Sequence, residues 1–109
     1  MADSFEVLAQ VNPSAATLTD AYTVPASTDT VVSTILVCNR SSTATSFRLS
    51  IAVAGAANSN EQYIAFDTAI AGNDVHEFTV GVTLNAADVI RVYATLATCS
   101  FNIFGVEIT

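Results

Sequence analysis

The chain has 109 residues and a mass of 11.3 kDa; 51% of its residues are hydrophobic and only 12% charged, about half the charged share of an average soluble domain. Ten acids stand against three arginines and no lysine, for a net charge of -7. Duplex nucleic acid is thereby excluded as a partner, since it needs several cations against phosphate; the apolar content excludes intrinsic disorder, and the length allows one domain, residues 1–109, with one modest core.

Period-two alternation in short runs dominates the chain. Phe5, Val7, Ala9 and Val11 alternate with Ser4, Glu6 and Gln10 until the turn signal Asn12-Pro13-Ser14. Residues 1–14 therefore read as an N-terminal strand, or an arm that contacts a neighbouring subunit. Leu18 to Val24 is a second extended run, stopped by Pro25. Val31 to Arg40 is apolar on both faces around Ile35-Leu36-Val37, the pattern of a central strand. Phe47, Leu49, Ile51 and Val53 alternate cleanly with Ser46, Arg48, Ser50 and Ala52.

Gly55 to Glu61 is the longest polar stretch. Tyr63 to Ile70 places Ile64, Phe66 and Ile70 on one expected face. Val75 to Leu84 does the same with Phe78, Val80 and Val82. Val89 to Leu96 sets Ile90, Val92 and Leu96 against Arg91, Tyr93 and Thr95. Cys99 to Ile108 carries Phe101 and Ile103 on one face, and Phe104, Val106 and Ile108 on the other. The turns Ala71-Gly72-Asn73-Asp74 and Asn85-Ala86-Ala87-Asp88 share a small-residue, Asx-ended chemistry in which the side chain bonds nearby backbone.

These eight candidate strands, rich in Val, Ile and Thr, predict an all-β domain. Their spacing fits a two-sheet antiparallel sandwich, Greek-key or jelly-roll in winding. The two-faced third and last strands are either central in a thick core or turned toward a partner subunit.

Chemistry is sparse. His76, the one imidazole, sits in a strand with no serine and carboxylate set placed beside it, and no Gly-x-Ser-x-Gly elbow occurs. Asp67, Asp74, Glu77 and Asn73 are the candidate oxygen ligands for a cation, but they match no calcium-loop pattern. Cys38 and Cys99 lie in apolar alternating segments without Cys-x-x-Cys spacing, as buried thiols do; a bridge between them is the alternative. The residues read as non-enzymatic, with no catalytic residue, no metal and no cofactor.

Sugar sites favour exposed aromatics, whereas Trp is absent and Tyr22, Tyr63 and Tyr93 fall in strands. The sequon Asn39-Arg40-Ser41 has no accompanying secretory leader, since Met1-Ala-Asp-Ser-Phe-Glu has no basic start and no long apolar stretch. No run approaches the length of a membrane span. Arg40, Arg48 and Arg91 should each pair with a carboxylate, within the chain or across a subunit boundary. A surface of Ser, Thr, Asn and Ala with so few charges suits close contact with other protein.

Several segments in order resemble a family of small virion structural proteins of tailed bacteriophages. They are Tyr22-Thr-Val-Pro-Ala26, Val31-Val-Ser-Thr-Ile-Leu-Val-Cys-Asn-Arg40, Thr45-Ser-Phe-Arg-Leu49, Tyr63-Ile-Ala-Phe-Asp67 and Ile70-Ala-Gly-Asn-Asp74, then Asp88-Val89, Val92-Tyr93 and Ser100-Phe-Asn-Ile-Phe-Gly-Val-Glu-Ile108. The resemblance implies a particle protein assembled in the host cytoplasm, on the outer surface of capsid or tail. A capsid decoration (cement) protein that stabilises the assembled head is the leading expectation. A tail or baseplate component or host-adhesion module is the alternative, ahead of a carbohydrate-binding sandwich. The implied partners are further copies of the chain, as a trimer or other homo-oligomer, and the major capsid protein or tail proteins, with no membrane. The candidate interface residues are Phe5, Val7, Val11, Arg40, Arg48, Arg91, Asn58 and Glu61.

Overall fold

The computed structural model describes residues 2–79 and 81–109. Its nine strands are β1 (Asp3–Val11), β2 (Thr19–Thr23), β3 (Asp29–Asn39), β4 (Thr45–Ala52), β5 (Tyr63–Ile70), β6 (Val75–Phe78), β7 (Val82–Leu84), β8 (Val89–Ala94) and β9 (Cys99–Ile108). Each alternating segment is a strand. The run expected to be unbroken from Val75 to Leu84 is divided into β6 and β7, which lie along the same edge of β3. Val80, expected to share a face with Phe78 and Val82, lies outside the described residues. The polar Gly55–Glu61 stretch holds parts of two single 3-10 turns, Val53–Gly55 and Asn60–Gln62.

The strands form two antiparallel sheets. The first has the order β1-β9-β3-β6, with β7 also on β3; the second has the order β2-β8-β4-β5. Each early strand pairs with its counterpart counted back from the C-terminus: β1 with β9, β2 with β8, β3 with β6 and β7, and β4 with β5. A ribbon paired in this way and rolled so that β9 also meets β3, and β8 meets β4, is a jelly roll. The two-faced strands β3 and β9 are interior strands of the first sheet, as their apolar runs required.

The core lies between the sheets. Val32, Ile35 and Val37 of β3 and Phe101 and Ile103 of β9 face Phe47 and Leu49 of β4 and Ile90 and Val92 of β8, all buried. Phe47 joins the layers: its ring meets Phe101 at 6.1 Å, Phe78 at 5.9 Å and His76 at 5.5 Å, all from the opposite sheet. Such aromatic pairs add to the area they bury.

Two expected faces are broken by bulges. The β1–β9 register slips between Val7 and Ala9. Ala9 and Val11 consequently oppose the buried Ile103 and Phe101, whereas Phe5 and Val7 oppose Val106 and Phe104 and point outward. The single apolar face expected over Phe5–Val11 is therefore split in two, because an inserted residue reverses the alternation. β3 slips at the same level, between Val32 and Thr34. Gly105 lies between the two irregularities, opposite Glu6 on one side and Val32 on the other. A Cβ there would sit 2.2 Å from the Val31 carbonyl oxygen and 3.0 Å from Leu8 Cδ1.

Asx chemistry closes the loops. Asp88 is buried, and its carboxylate accepts hydrogen bonds from the Asn85 and Ala54 backbone N–H groups, each at 2.8 Å. Asp74 accepts one from the Val75 N–H, so the two similar turns share their mechanism as expected. Asn39 is fully buried: Nδ2 donates to the Thr43 and Ala71 carbonyls, and Oδ1 accepts from the Ser41 N–H and the Thr98 hydroxyl. At the opposite end, the Tyr22 hydroxyl donates to Glu107 at 2.5 Å and lies 2.8 Å from the Thr30 hydroxyl.

Two outcomes follow. Gly105→Ala should lower stability by about 1–3 kcal/mol, as overpacking does, read as an earlier midpoint in urea; an unchanged midpoint would mean that the bulges accommodate a methyl group. Burial first, and then the hydrogen bond with Glu107, push the Tyr22 hydroxyl up from 10.0 to about 12. A phenol raised on folding stabilises the fold while protonated, in full below pH 10, and that contribution is lost as pH rises through 12. Stability should fall over that window, and Tyr22→Phe should flatten the fall.

Candidate functional site

Partners directly across an antiparallel ladder share a face of the sheet. The outer face of the first sheet can thus be read from its registers. Phe5 and Val7 of β1 flank Val106 and Phe104 of β9, which in turn flank Val31 and Thr34 of β3. Leu36 and Cys38 continue the face beside Glu77 and Val75 of β6. Phe5 is 80% exposed, and Val7 and Val75 are more than half exposed. The acids of this face, Asp3 and Asp29 beside Ile108 and Glu77 beside Leu36, sit at its margins. No other part of the described chain covers it.

The outer face of the second sheet has a different character. Arg48 of β4 opposes Tyr93 of β8, and its guanidinium lies 4.3 Å from the centre of that ring. On its other side, the guanidinium is 4.1 Å from the centre of the Phe66 ring. Nε donates to Asp67 Oδ1 at 2.6 Å, and Nη2 to Oδ2 at 3.3 Å. The hydrogen bond to Asp67 raises the guanidinium pKa above its ordinary value, so Arg48 stays ionised within the pair.

Neighbouring residues of a regular strand point to opposite faces, yet Phe66 and Asp67 both engage Arg48. The cause is a bulge. Phe47 opposes Thr68 and Leu49 opposes Ala65, which leaves two β5 residues against the single Arg48. Asp67 takes a left-handed φ of 48° to make the insertion. The face expected to hold Ile64, Phe66 and Ile70 together is broken: Ile64 and Phe66 are 48% and 55% exposed, while Ile70 is buried.

Magnitudes decide what this cluster is for. A left-handed non-glycine residue costs about 1–3 kcal/mol. An exposed ion pair contributes at most ~1 kcal/mol, and exposed cation–π contacts ~0.5–1 kcal/mol each. The terms nearly cancel, so the cluster is not a stability device.

Next to it, the Tyr63 ring meets Phe66 edge-on at 4.8 Å, and Asn58 Nδ2 donates to the Tyr63 hydroxyl at 3.0 Å. Asn60, Tyr63 and Phe66 line an open depression of about 370 Å³.

The residues singled out in the sequence separate into several places. Phe5 and Val7 stand on the outer face of the first sheet; Val11 turns inward and packs on the core. Arg48 and Asn58 belong to the aromatic cluster, and Glu61 shares the Asn60–Gln62 turn, where the Ser59 hydroxyl donates to it and lowers its pKa. Arg91, farther along the same face, pairs with Asp20 at 2.9 Å and donates to the Ala56 and Gly55 carbonyls, which fastens the Val53–Gly55 turn over the sheet. Arg48 and Arg91 thus have intrachain carboxylates as expected. Arg40 does not: it donates to Asn12 Oδ1 and the Ala97 carbonyl.

Other expectations resolve as follows. Half-buried His76 packs on Phe47 in the core. Asp67 and Glu77 lie on different sheets, and among the described residues no three His, Cys, Asp or Glu side chains gather to share a metal ion. Cys99 is buried, which raises its thiol pKa, but Cys38 is only half-buried, on the outer face; both thiols are free. Asn39, the sequon residue, has both amide atoms committed inside the protein. Asn60 falls in the Gly55–Glu61 loop that the sequence offered as a candidate; Phe66 was not singled out there, because strand alternation hides the bulge that turns it outward. No family model matches the chain, and no curated protein matches it.

Arg48→Ala should cost no more than about 3 kcal/mol, the upper sum of its one ion pair and two cation–π contacts, while near-ultraviolet circular dichroism reports the release of the tyrosines. A loss of 4 kcal/mol or more, of the order of a buried core truncation, would make the cluster a structural clamp.

Proposed function

We propose that this chain is a structural protein of a tailed-phage particle, a capsid decoration (cement) protein that binds the assembled head through the outer face of its first sheet. The observation that carries the reading is that face. Its apolar part gathers Phe104, Val106, Val31 and Leu36 beside the exposed Phe5 and Val7, and gives way to the hydrogen-bonded Asn102 and Gln10 beyond Phe104. Contiguous exposed apolar surface of this kind marks a protein contact on a stable fold.

Its size suits that role. Ten residues of β9 at ~3.4 Å each and four strand positions at ~4.8 Å give a face of roughly 34 by 19 Å. That approaches the ~800 Å² each partner contributes to a standard interface. Central apolar residues with charges at the margin are the usual anatomy of such a contact. The jelly roll recurs in capsid proteins, which is an argument by analogy of fold alone. A net charge of -7 disfavours contact with packaged DNA and favours the outer surface.

The decisive experiment is the copy number of this chain in purified virions of the phage that encodes it, by quantitative mass spectrometry against the major capsid protein. A ratio near one or near one third supports the decoration role; a few per cent transfers the protein to the tail, and absence from the particle refutes the reading. Because Phe5 is 80% exposed, Phe5→Glu should leave the melting temperature within a few degrees. It should also weaken binding to particles lacking the protein at least tenfold, measured by co-sedimentation.

A further inference from the structure

The outer face of the second sheet holds a second feature, which the assembly role leaves unused. From the aromatic cluster around Arg48 we infer that the depression lined by Asn60, Tyr63 and Phe66 is a binding site for a neutral carbohydrate.

The β5 bulge shapes this surface. It brings Phe66 and Asp67 to one face at the expense of a left-handed backbone at Asp67. Bulges recur where a strand must re-aim a side chain, and Asp tolerates the left-handed conformation that this one needs. Here the bulge places an aromatic ring on the surface and holds it there. Arg48 packs on one side of Phe66, 4.1 Å from its centre, and is fixed in turn by Asp67 and Tyr93. Tyr63 meets Phe66 edge-on, with its hydroxyl held by Asn58. The rings are thus oriented before any ligand arrives, and Phe66 remains 55% exposed. Binding then costs little side-chain ordering.

The ligand class follows from the chemistry of the lining. The Arg48 charge is already paired with Asp67, so the site carries no free charge for an ionic group. The net charge of -7 repels anions such as nucleic acid, phosphate and acidic sugars. What remains is two aromatic rings beside the Asn60 amide and the Tyr63 hydroxyl, on an open depression of about 370 Å³. A pyranose ring has the complementary surface: a C–H face to lie on an aromatic ring, and hydroxyls at its edge to exchange hydrogen bonds with an amide and a phenol. A few placed polar groups around apolar walls is how small polar ligands are held. Phe66, Tyr63 and Asn60 are the contact residues; Arg48 and Asp67 are positioning residues.

Tyr63 and Tyr93 do lie in strands, but in strands whose outer face is open to solvent. The absence of loop aromatics therefore does not count against a sugar platform.

The test uses the whole chain, a printed array of neutral glycans, and saturation-transfer NMR with methyl glycosides of glucose, galactose, mannose and N-acetylglucosamine. At least one neutral sugar should bind. Phe66→Ala and, separately, Asn60→Ala should weaken that binding at least tenfold with an unchanged melting temperature, while Phe5→Glu on the opposite sheet leaves it intact. The proposal is overturned if no neutral sugar gives a signal by either method, or if binding survives both substitutions. Virion copy number has no bearing on these outcomes, so the two proposals stand or fall separately.

Discussion

The sandwich depends on β9 lying flat between β1 and β3, and the constraint that makes this possible is the missing side chain at Gly105. Both neighbours bulge beside it, and the Val31 carbonyl occupies the space a Cβ would need. With that position empty, β9 pairs with β3 over ten residues and with β1 over eight, and its inner face delivers Phe101 and Ile103 to the core. Phe101 then meets Phe47, the ring through which the second sheet is held. Backbone packing at one glycine thereby sets the register on which the inter-sheet contacts rest.

Bulges do more here than bend strands. The one in β1 divides an apolar strand into an inner half, Ala9 and Val11, and an outer half, Phe5 and Val7. Of the two irregularities in the β4–β5 ladder, the one opposite Arg48 brings adjacent residues to one face, which no regular strand allows, and makes Arg48 the centre of the cluster. In each case one inserted residue converts what would have been core material into surface with a defined character. Both proposals rest on surfaces made in this way.

The two outer faces divide the chemistry of a charge-poor chain. One is flat and apolar, with its acids at the margins. The other carries Arg48 and Arg91, each neutralised by a carboxylate, and presents oriented rings. With no lysine and two of its arginines committed to ion pairs within the chain, the protein has little cationic surface to attract anions, and its net charge of -7 repels them. Recognition must come from shape, apolar contact and hydrogen bonding at short range. That is why a broad protein contact and a neutral sugar are the occupants argued for these faces.

Much of the architecture was legible in the residues. Alternation located the strand segments, though not the break between β6 and β7, a central place was one of the two readings of the two-faced runs now seen as β3 and β9, and Asp74 and Asp88 announced their turns, because these are local consequences of side-chain period and Asx hydrogen bonding. Burial of the polar Asn39 and the union of Tyr22, Thr30 and Glu107 needed the rolled chain, since their partners are distant in sequence. So did the outward turn of Phe5 and Phe66. A one-residue bulge leaves composition and hydrophobic content unchanged, yet reverses every side chain beyond it. Sequence by itself therefore determined which segments are strands and that they form two sheets around one core. Only the tertiary structure decided which aromatic rings reach the surface, because that depends on where the registers slip.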